Sequence, residues 1–154
     1  MQESYKAPRY DKCVIDFDMT AKILVVEDNP DSRELVVMVL AHAGYEVIEA
    51  ANGPEALREA IRHRPDLILM DLGLPGVQGD EVMSRIRSDK RIANIPVVVI
   101  TAFDRNAGAV KRAMAGGANE VLFKPIDSKR LLNVARIFTN QAPKSQTQSP
   151  SHTA

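Results

Sequence analysis

Sulfur and aromatic chemistry are scarce in this chain: its 154 residues include one cysteine, Cys13, no tryptophan, and 5% aromatic residues. A lone thiol cannot close an internal disulfide and offers no thiolate metal cluster, so Cys13 reads as an inert thiol in a reducing compartment. Net charge is absent too, since 20 Lys+Arg face 20 Asp+Glu. That balance gives no electrostatic footprint for a nucleic-acid groove or a polybasic membrane anchor, and it points to a protein or a small molecule as partner. No apolar run approaches a membrane span, and the opening "MQESYKAPRYDKC" lacks the apolar centre of a signal peptide. A soluble, cytoplasmic protein without membrane insertion is expected. His42, His63 and His152 share no ligand spacing and read as surface or core-edge residues.

What is present is a chain 45% hydrophobic and 26% charged, enough for one ordinary core. Its ends differ from its middle. From Thr139 the run "TNQAPKSQTQSPSHTA" has almost nothing to bury, which predicts a disordered polar tail over 139–154. Residues 1–20 read as a flexible arm, with "CVIDFD" as a candidate edge strand set against Pro8 and its charged neighbours, and with Met19 as an alternative start. One folded unit over 21–138 remains.

Within that unit the apolar period switches regularly. Lys22–Val26, Glu46–Ala50, Leu67–Met70, Pro96–Ile100 and Val121–Phe123 read as short strands. Helices are predicted over Asp31–Ala43, from Asn52-Gly53-Pro54 to about Arg62, from Asp80 to Arg87, from Ala107 to Ala115, and from a cap at Asp127 or Ser128 to Phe138. Five strands alternating with five helices, several strands apolar on both faces, imply an α/β fold with a doubly wound parallel sheet. In such sheets the carboxyl ends of the strands form the site.

The residues just past the strands are Glu27 and Asp28 after the first, Asp71 after the third, Thr101 and Ala102 after the fourth, and Lys124 and Pro125 after the fifth. The second strand ends in Ala50-Ala51 and offers no chemistry. Asp71 closes the apolar run "LILMDLGLPG", where a buried unpaired charge is expensive and needs a partner. Three carboxylates converging within about 5 Å repel by roughly 3 kcal/mol per pair at an effective dielectric near 20, so the cluster wants a cation. All-oxygen donors select a hard ion, and an incomplete carboxylate set that leaves room for water suits Mg²⁺. A cation, the Lys124 ammonium and the Thr101 hydroxyl together could neutralise a phosphoryl group carried by Asp71 as a carboxylate nucleophile. Gly73 fits a backbone carbonyl brought close to the metal, with Pro75-Gly76 fixing the turn.

The segments "ILVVEDNP", "LILMDLGLPGVQGDE", "PVVVITA" and "VLFKP", in this order, resemble the receiver domain of two-component response regulators, the family of the chemotaxis response regulator, in its stand-alone form. The resemblance implies the flavodoxin-like strand order 2-1-3-4-5, with Asp71 as phosphoacceptor for a phosphohistidine on a sensor histidine kinase or histidine phosphotransfer protein. It also implies Mg²⁺ held by Asp28, Asp71 and the Gly73 carbonyl with Glu27 acting directly or through water, Lys124 on the phosphoryl oxygens, and Thr101 moving toward them. The chain departs from the family pattern at Leu74, at Phe103, and at Val121, which stands where the family often has an aromatic switch residue. Output is expected through contact with a downstream protein or a second copy of the chain, without DNA, because no basic helical unit follows Phe138. In the first helix, "LVVMVLA" is apolar around more than one stripe, and Val36, Val37 and Leu40 are each assigned to burial, with docking of a phosphotransfer bundle as the functional alternative. A phosphatase of the haloacid-dehalogenase type fits less well, because its nucleophile follows the first strand as Asp-x-Asp whereas this strand ends "EDN". A phosphorylation-independent interaction module is the other alternative.

Overall fold

The computed structural model describes residues 20–73, 79–102 and 107–139. Strands β1 (Lys22–Val26), β2 (Glu46–Ala50), β3 (Leu67–Asp71), β4 (Val97–Ala102) and β5 (Glu120–Lys124) alternate with helices α1 (Pro30–His42), α2 (Gly53–His63), α3 (Gly79–Ser88), α4 (Ala107–Ala115) and α5 (Ser128–Thr139). The sheet is parallel throughout, in the order β2-β1-β3-β4-β5 expected from the sequence.

Alternation along each strand feeds two cores. Leu24, Val26, Ile68, Met70 and Val99 face Ala56, Ala60, Val82, Met83 and Ala113 from α2, α3 and α4. Ile23, Val25, Leu69, Val98 and Leu122 face Val36, Leu40, Leu131 and Val134 from α1 and α5. Central strand β3 is buried along its whole length. Each of its fully buried aliphatic side chains contributes about 1.5–3 kcal/mol, which makes β3 a rigid platform for Asp71 at its end.

The ladder runs further toward the polar ends than the apolar pattern predicts. Asp71 is the last residue of β3, Thr101 and Ala102 belong to β4, and Lys124 closes β5. The reason is that ladder hydrogen bonds are a property of the backbone and ignore side-chain polarity. Leu72 N–H still donates to Ile100 O at 3.0 Å, and Ala102 still registers with Lys124. Caps set the helix starts. Asn29 accepts from Ser32 N–H ahead of Pro30, Asn52 accepts from Glu55 N–H at 2.9 Å, and the Glu55 carboxylate reaches back to Ala51 N–H at 2.9 Å. At α5 the Asp127 carbonyl accepts from Leu131 N–H at 2.9 Å and its carboxylate from Lys129 N–H at 3.2 Å, so Asp127 is the cap.

Two glycines end helices with positive φ, but in different surroundings. Gly44 (φ +97°) has open space where a Cβ would stand, whereas at Gly117 (φ +105°) a Cβ would lie 2.8 Å from Arg87 Nε. Gly44→Ala should therefore cost only the left-handed backbone penalty, about 1–2 kcal/mol, and Gly117→Ala clearly more. Urea midpoints measure both, and equal losses would show that the Arg87 contact relaxes freely.

In α1, Val36 and Leu40 are buried and Val37 packs against the same core, as the sequence suggests. The large apolar residues that this helix exposes are Leu35 and Met38, 65% and 61% accessible. His42 is exposed, and His63 Nε2 lies 3.1 Å from Glu59 Oε2.

Candidate functional site

The carboxyl ends of β1, β3, β4 and β5 converge on one rim. Asp71 and Glu27 are buried at 8% and 6% accessibility while Asp28 is exposed, and one oxygen from each of the three carboxylates falls within 4.8 Å of the others. Lys124 Nζ stands between two of them, donating to Glu27 Oε2 at 2.8 Å and to Asp71 Oδ2 at 2.9 Å. The second Asp71 oxygen, Oδ1, accepts from Gly73 N–H at 2.8 Å. A Cβ at Gly73 would meet that oxygen at 3.4 Å, an ordinary contact, so close approach to Asp71 does not by itself demand glycine here. Among the described residues Thr101 Oγ1 has one long bond, to Ala102 O at 3.4 Å, which commits its hydroxyl only weakly. A cavity of about 360 Å³ opens between Asp71, Gly73, Thr101, Lys124 and, on α4, Ala109 and Val110.

Charge is divided unequally among these groups. Burial raises the Asp71 carboxyl, but the Gly73 N–H, the Lys124 ammonium and the Glu27 side chain outweigh it and hold the group below its ordinary value. Glu27 is raised, first by burial and then by the neighbouring Asp71, with Lys124 opposing. Lys124 is raised because its bonds to Glu27 and Asp71 overcome the burial that would lower it. Asp71 is therefore the carboxylate held ionised and Glu27 the one whose charge is disfavoured. The donor set is made of oxygens alone, and its carboxylates already tolerate a cation between them. The residues present thus fit a hard divalent ion such as Mg²⁺.

The main chain beneath the acidic pair is fixed by residues that the sequence does not advertise. Glu27 N–H donates to Ala50 O at 3.0 Å, Arg33 Nη1 donates to Glu27 O at 2.9 Å, and Arg33 Nε donates to Glu49 Oε1 at 3.1 Å. Strand β2, which offers no chemistry from its terminal alanines, thus contributes the Ala50 carbonyl and Glu49. The one signal available in the sequence was an arginine in the first turn after an acidic pair. Val121 is buried in the core under α4. Leu74, Pro75-Gly76 and Phe103, like Cys13, Met19 and His152, lie outside the described residues.

The profile of the response regulator receiver domain matches residues 23–136. The chain belongs to that family. The receiver domain is 38% identical over 124 residues to the polar-differentiation response regulator DivK of Brucella anthropi, a match that spans 80% of this chain and 100% of the relative. Among solved structures it is similar to the chemotaxis protein CheY4 of Vibrio cholerae, with 31% identity and TM-score 0.72 over 77% of this chain and 98% of the other. It also resembles the receiver domain of sensor histidine kinase PA1611 from Pseudomonas aeruginosa, with 31% identity and TM-score 0.73 over 79% and 98% of the two chains; that structure has a magnesium ion coordinated in its active site cleft. As a receiver domain the protein is a phosphoacceptor module of two-component signalling rather than a metabolic enzyme. Its family works with histidine kinases or phosphotransfer proteins. Among the described residues no helix is long and apolar enough to cross a membrane.

Proposed function

We propose that Asp71 accepts the phosphoryl group, in a receiver unit spanning 21–138 flanked by the arms 1–20 and 140–154; Thr139, expected to open the tail, instead ends α5 and is buried there, its hydroxyl donating to Ala135 O at 2.7 Å. The observation that carries this reading is the placement of Asp71 at the end of the central strand, held ionised by Lys124 and Gly73 N–H and facing an open cavity. Mg²⁺ would be held by Glu27, Asp28, Asp71 and the Gly73 carbonyl, and it supplies charge neutralisation to a dianionic phosphoryl group. An Asp71 carboxylate oxygen attacks the phosphorus of a phosphohistidine. The new P–O bond makes an acyl phosphate, the P–N bond breaks, and its electron pair returns to the imidazole. Lys124 then has phosphoryl oxygens to bond in place of the Asp71 oxygen it holds at rest, and the weakly committed Thr101 hydroxyl can turn toward them. Phosphorylation from a small donor and hydrolysis of the acyl phosphate follow from the same groups.

The partner that delivers the phosphoryl group, a sensor histidine kinase or a histidine phosphotransfer protein, is read to dock on α1 through Leu35 and Met38. Beside them an apolar pocket of about 200 Å³, lined by Leu35, Val39, Ile126 and Leu131, reaches Glu27 and Lys124 at the site. The signal leaves by contact with a downstream protein or a second copy, in the cytoplasm. Intact-protein mass spectrometry after incubation with acetyl phosphate tests the chemistry. One labile phosphoryl adduct is expected with Mg²⁺ and none with chelator. If neither an adduct nor beryllofluoride binding appears with Mg²⁺, the phosphorylation-independent module takes its place.

Lys124 also occupies the carboxylate oxygens that a metal would use. Lys124→Ala should tighten Mg²⁺ binding by about fivefold, a modest figure because the ammonium is partly solvated, while shortening the list of groups available to the phosphoryl oxygens. Magnesium titration checks it, and weaker binding in the variant would contradict competition between the two cations.

A further inference from the structure

We propose that Arg33 is a positioning residue for the divalent-cation site, clamping the peptide that joins Glu27 to Asp28 against β2. The inference rests on the reading of that site as a Mg²⁺ site and goes beyond it to the residue that sets its geometry. Glu27 is held at both of its main-chain groups. Its N–H donates to Ala50 O at 3.0 Å, and its carbonyl accepts from Arg33 Nη1 at 2.9 Å. The same guanidinium is braced from β2, because Nε donates to Glu49 Oε1 at 3.1 Å.

The Glu27 carbonyl belongs to the peptide plane from which Asp28 departs, so fixing it fixes where an exposed carboxylate begins. Asn29 N–H adds a bond to Glu27 Oε1 at 3.2 Å. Arg33 is suited to this work and lysine is not, since a planar fork can serve a carbonyl and a carboxylate at once. The Arg33 side chain is 21% accessible and that of Glu49 51%.

Two ordinary roles predict something else. As a half-exposed ion pair, Arg33 and Glu49 should matter little to anything. As a charge near the site, Arg33 repels an incoming cation, so its removal should tighten Mg²⁺ binding. A positioning role predicts the opposite sign. Groups that orient metal ligands from outside the coordination sphere commonly change affinity by 10–100-fold when lost.

The test is a Mg²⁺ titration of the full chain followed by the Gly73 amide resonance, for wild type, Arg33→Met and Arg33→Lys, with thermal unfolding recorded alongside. Wild type should saturate, and Arg33→Met should bind Mg²⁺ about tenfold more weakly with an unfolding midpoint close to wild type. Arg33→Lys keeps the charge and loses the fork, so it too should bind more weakly; it carries the test if the Met variant fails to fold. Equal or tighter binding in these variants overturns the proposal. A wild type that shows no saturable response removes the cation-site reading itself, and the inference with it.

Discussion

Asp71→Asn is expected to abolish the phosphoryl adduct completely, at any donor concentration. Asparagine keeps the shape of the side chain and can still accept from Gly73 N–H, which lies 2.8 Å from Asp71 Oδ1. What it loses is the anionic oxygen that must attack phosphorus, and an amide has no comparable nucleophilicity near neutral pH. The fold should survive, because β3 is held by its buried aliphatic residues and its ladder bonds rather than by the terminal carboxylate. Lys124 keeps its bond to Glu27 at 2.8 Å, so the ammonium is not left stranded. Intact mass with and without chelator, paired with circular dichroism, reads both halves of the expectation. An adduct that persists in the Asn variant would move the acceptor to another carboxylate, with Asp28 the first to examine.

The largest loss of stability is expected from a residue outside the site. Arg87, in α3, donates from Nη1 to Ala93 O at 2.9 Å and to Ile95 O at 2.6 Å. From Nη2 it donates to Gly117 O at 2.7 Å and Asn119 Oδ1 at 3.0 Å, and Nε adds a longer bond to Gly117 O at 3.2 Å. None of these acceptors is a carboxylate. One guanidinium thus ties together the end of α3, the approach to β4 and the turn after α4, while Asn119 also accepts from Val97 N–H at 2.9 Å. Arg87→Ala removes every one of these bonds and leaves several carbonyls short of a donor, at a cost of about 3 kcal/mol. That is a large share of the roughly 5–15 kcal/mol that holds a domain together. Arg87→Lys should recover less than half, since an ammonium cannot span the fork. Urea denaturation decides, and a loss below about 1 kcal/mol in the Ala variant would mean that water replaces the guanidinium without penalty.

These two residues also mark what could be read before the structure. Asp71 was visible because it breaks an apolar run, and such a break has few physical explanations. Glu27, Asp28, Thr101 and Lys124 were visible because the rule for parallel sheets says where to look. Arg87 and Arg33 were not. In sequence each is one arginine among the charges of its helix, and what distinguishes them is the set of acceptors that the fold brings to them: the Gly117 carbonyl lies 30 positions from Arg87, and the Glu49 carboxylate lies 16 from Arg33. Acceptors on the main chain carry no sequence signature. Strand limits slipped for a related reason, since the apolar pattern stops at Met70 and Ile100 while the ladder continues to Asp71 and Ala102. In α1 the buried positions were legible from periodicity, but Leu35 and Met38 became distinguishable from their apolar neighbours only when the direction of the core was known.

The strand order has a mechanical meaning for the ion pair at the rim. Asp71 ends the middle strand of five and Lys124 ends the strand at the margin, which is laddered on one side only, so their 2.9 Å contact reaches across β4. It ties the end of the fully buried central strand to the end of one of the two edge strands. A change in the charge that Asp71 carries would therefore be felt first, through Lys124, at an edge of the sheet rather than within its buried centre.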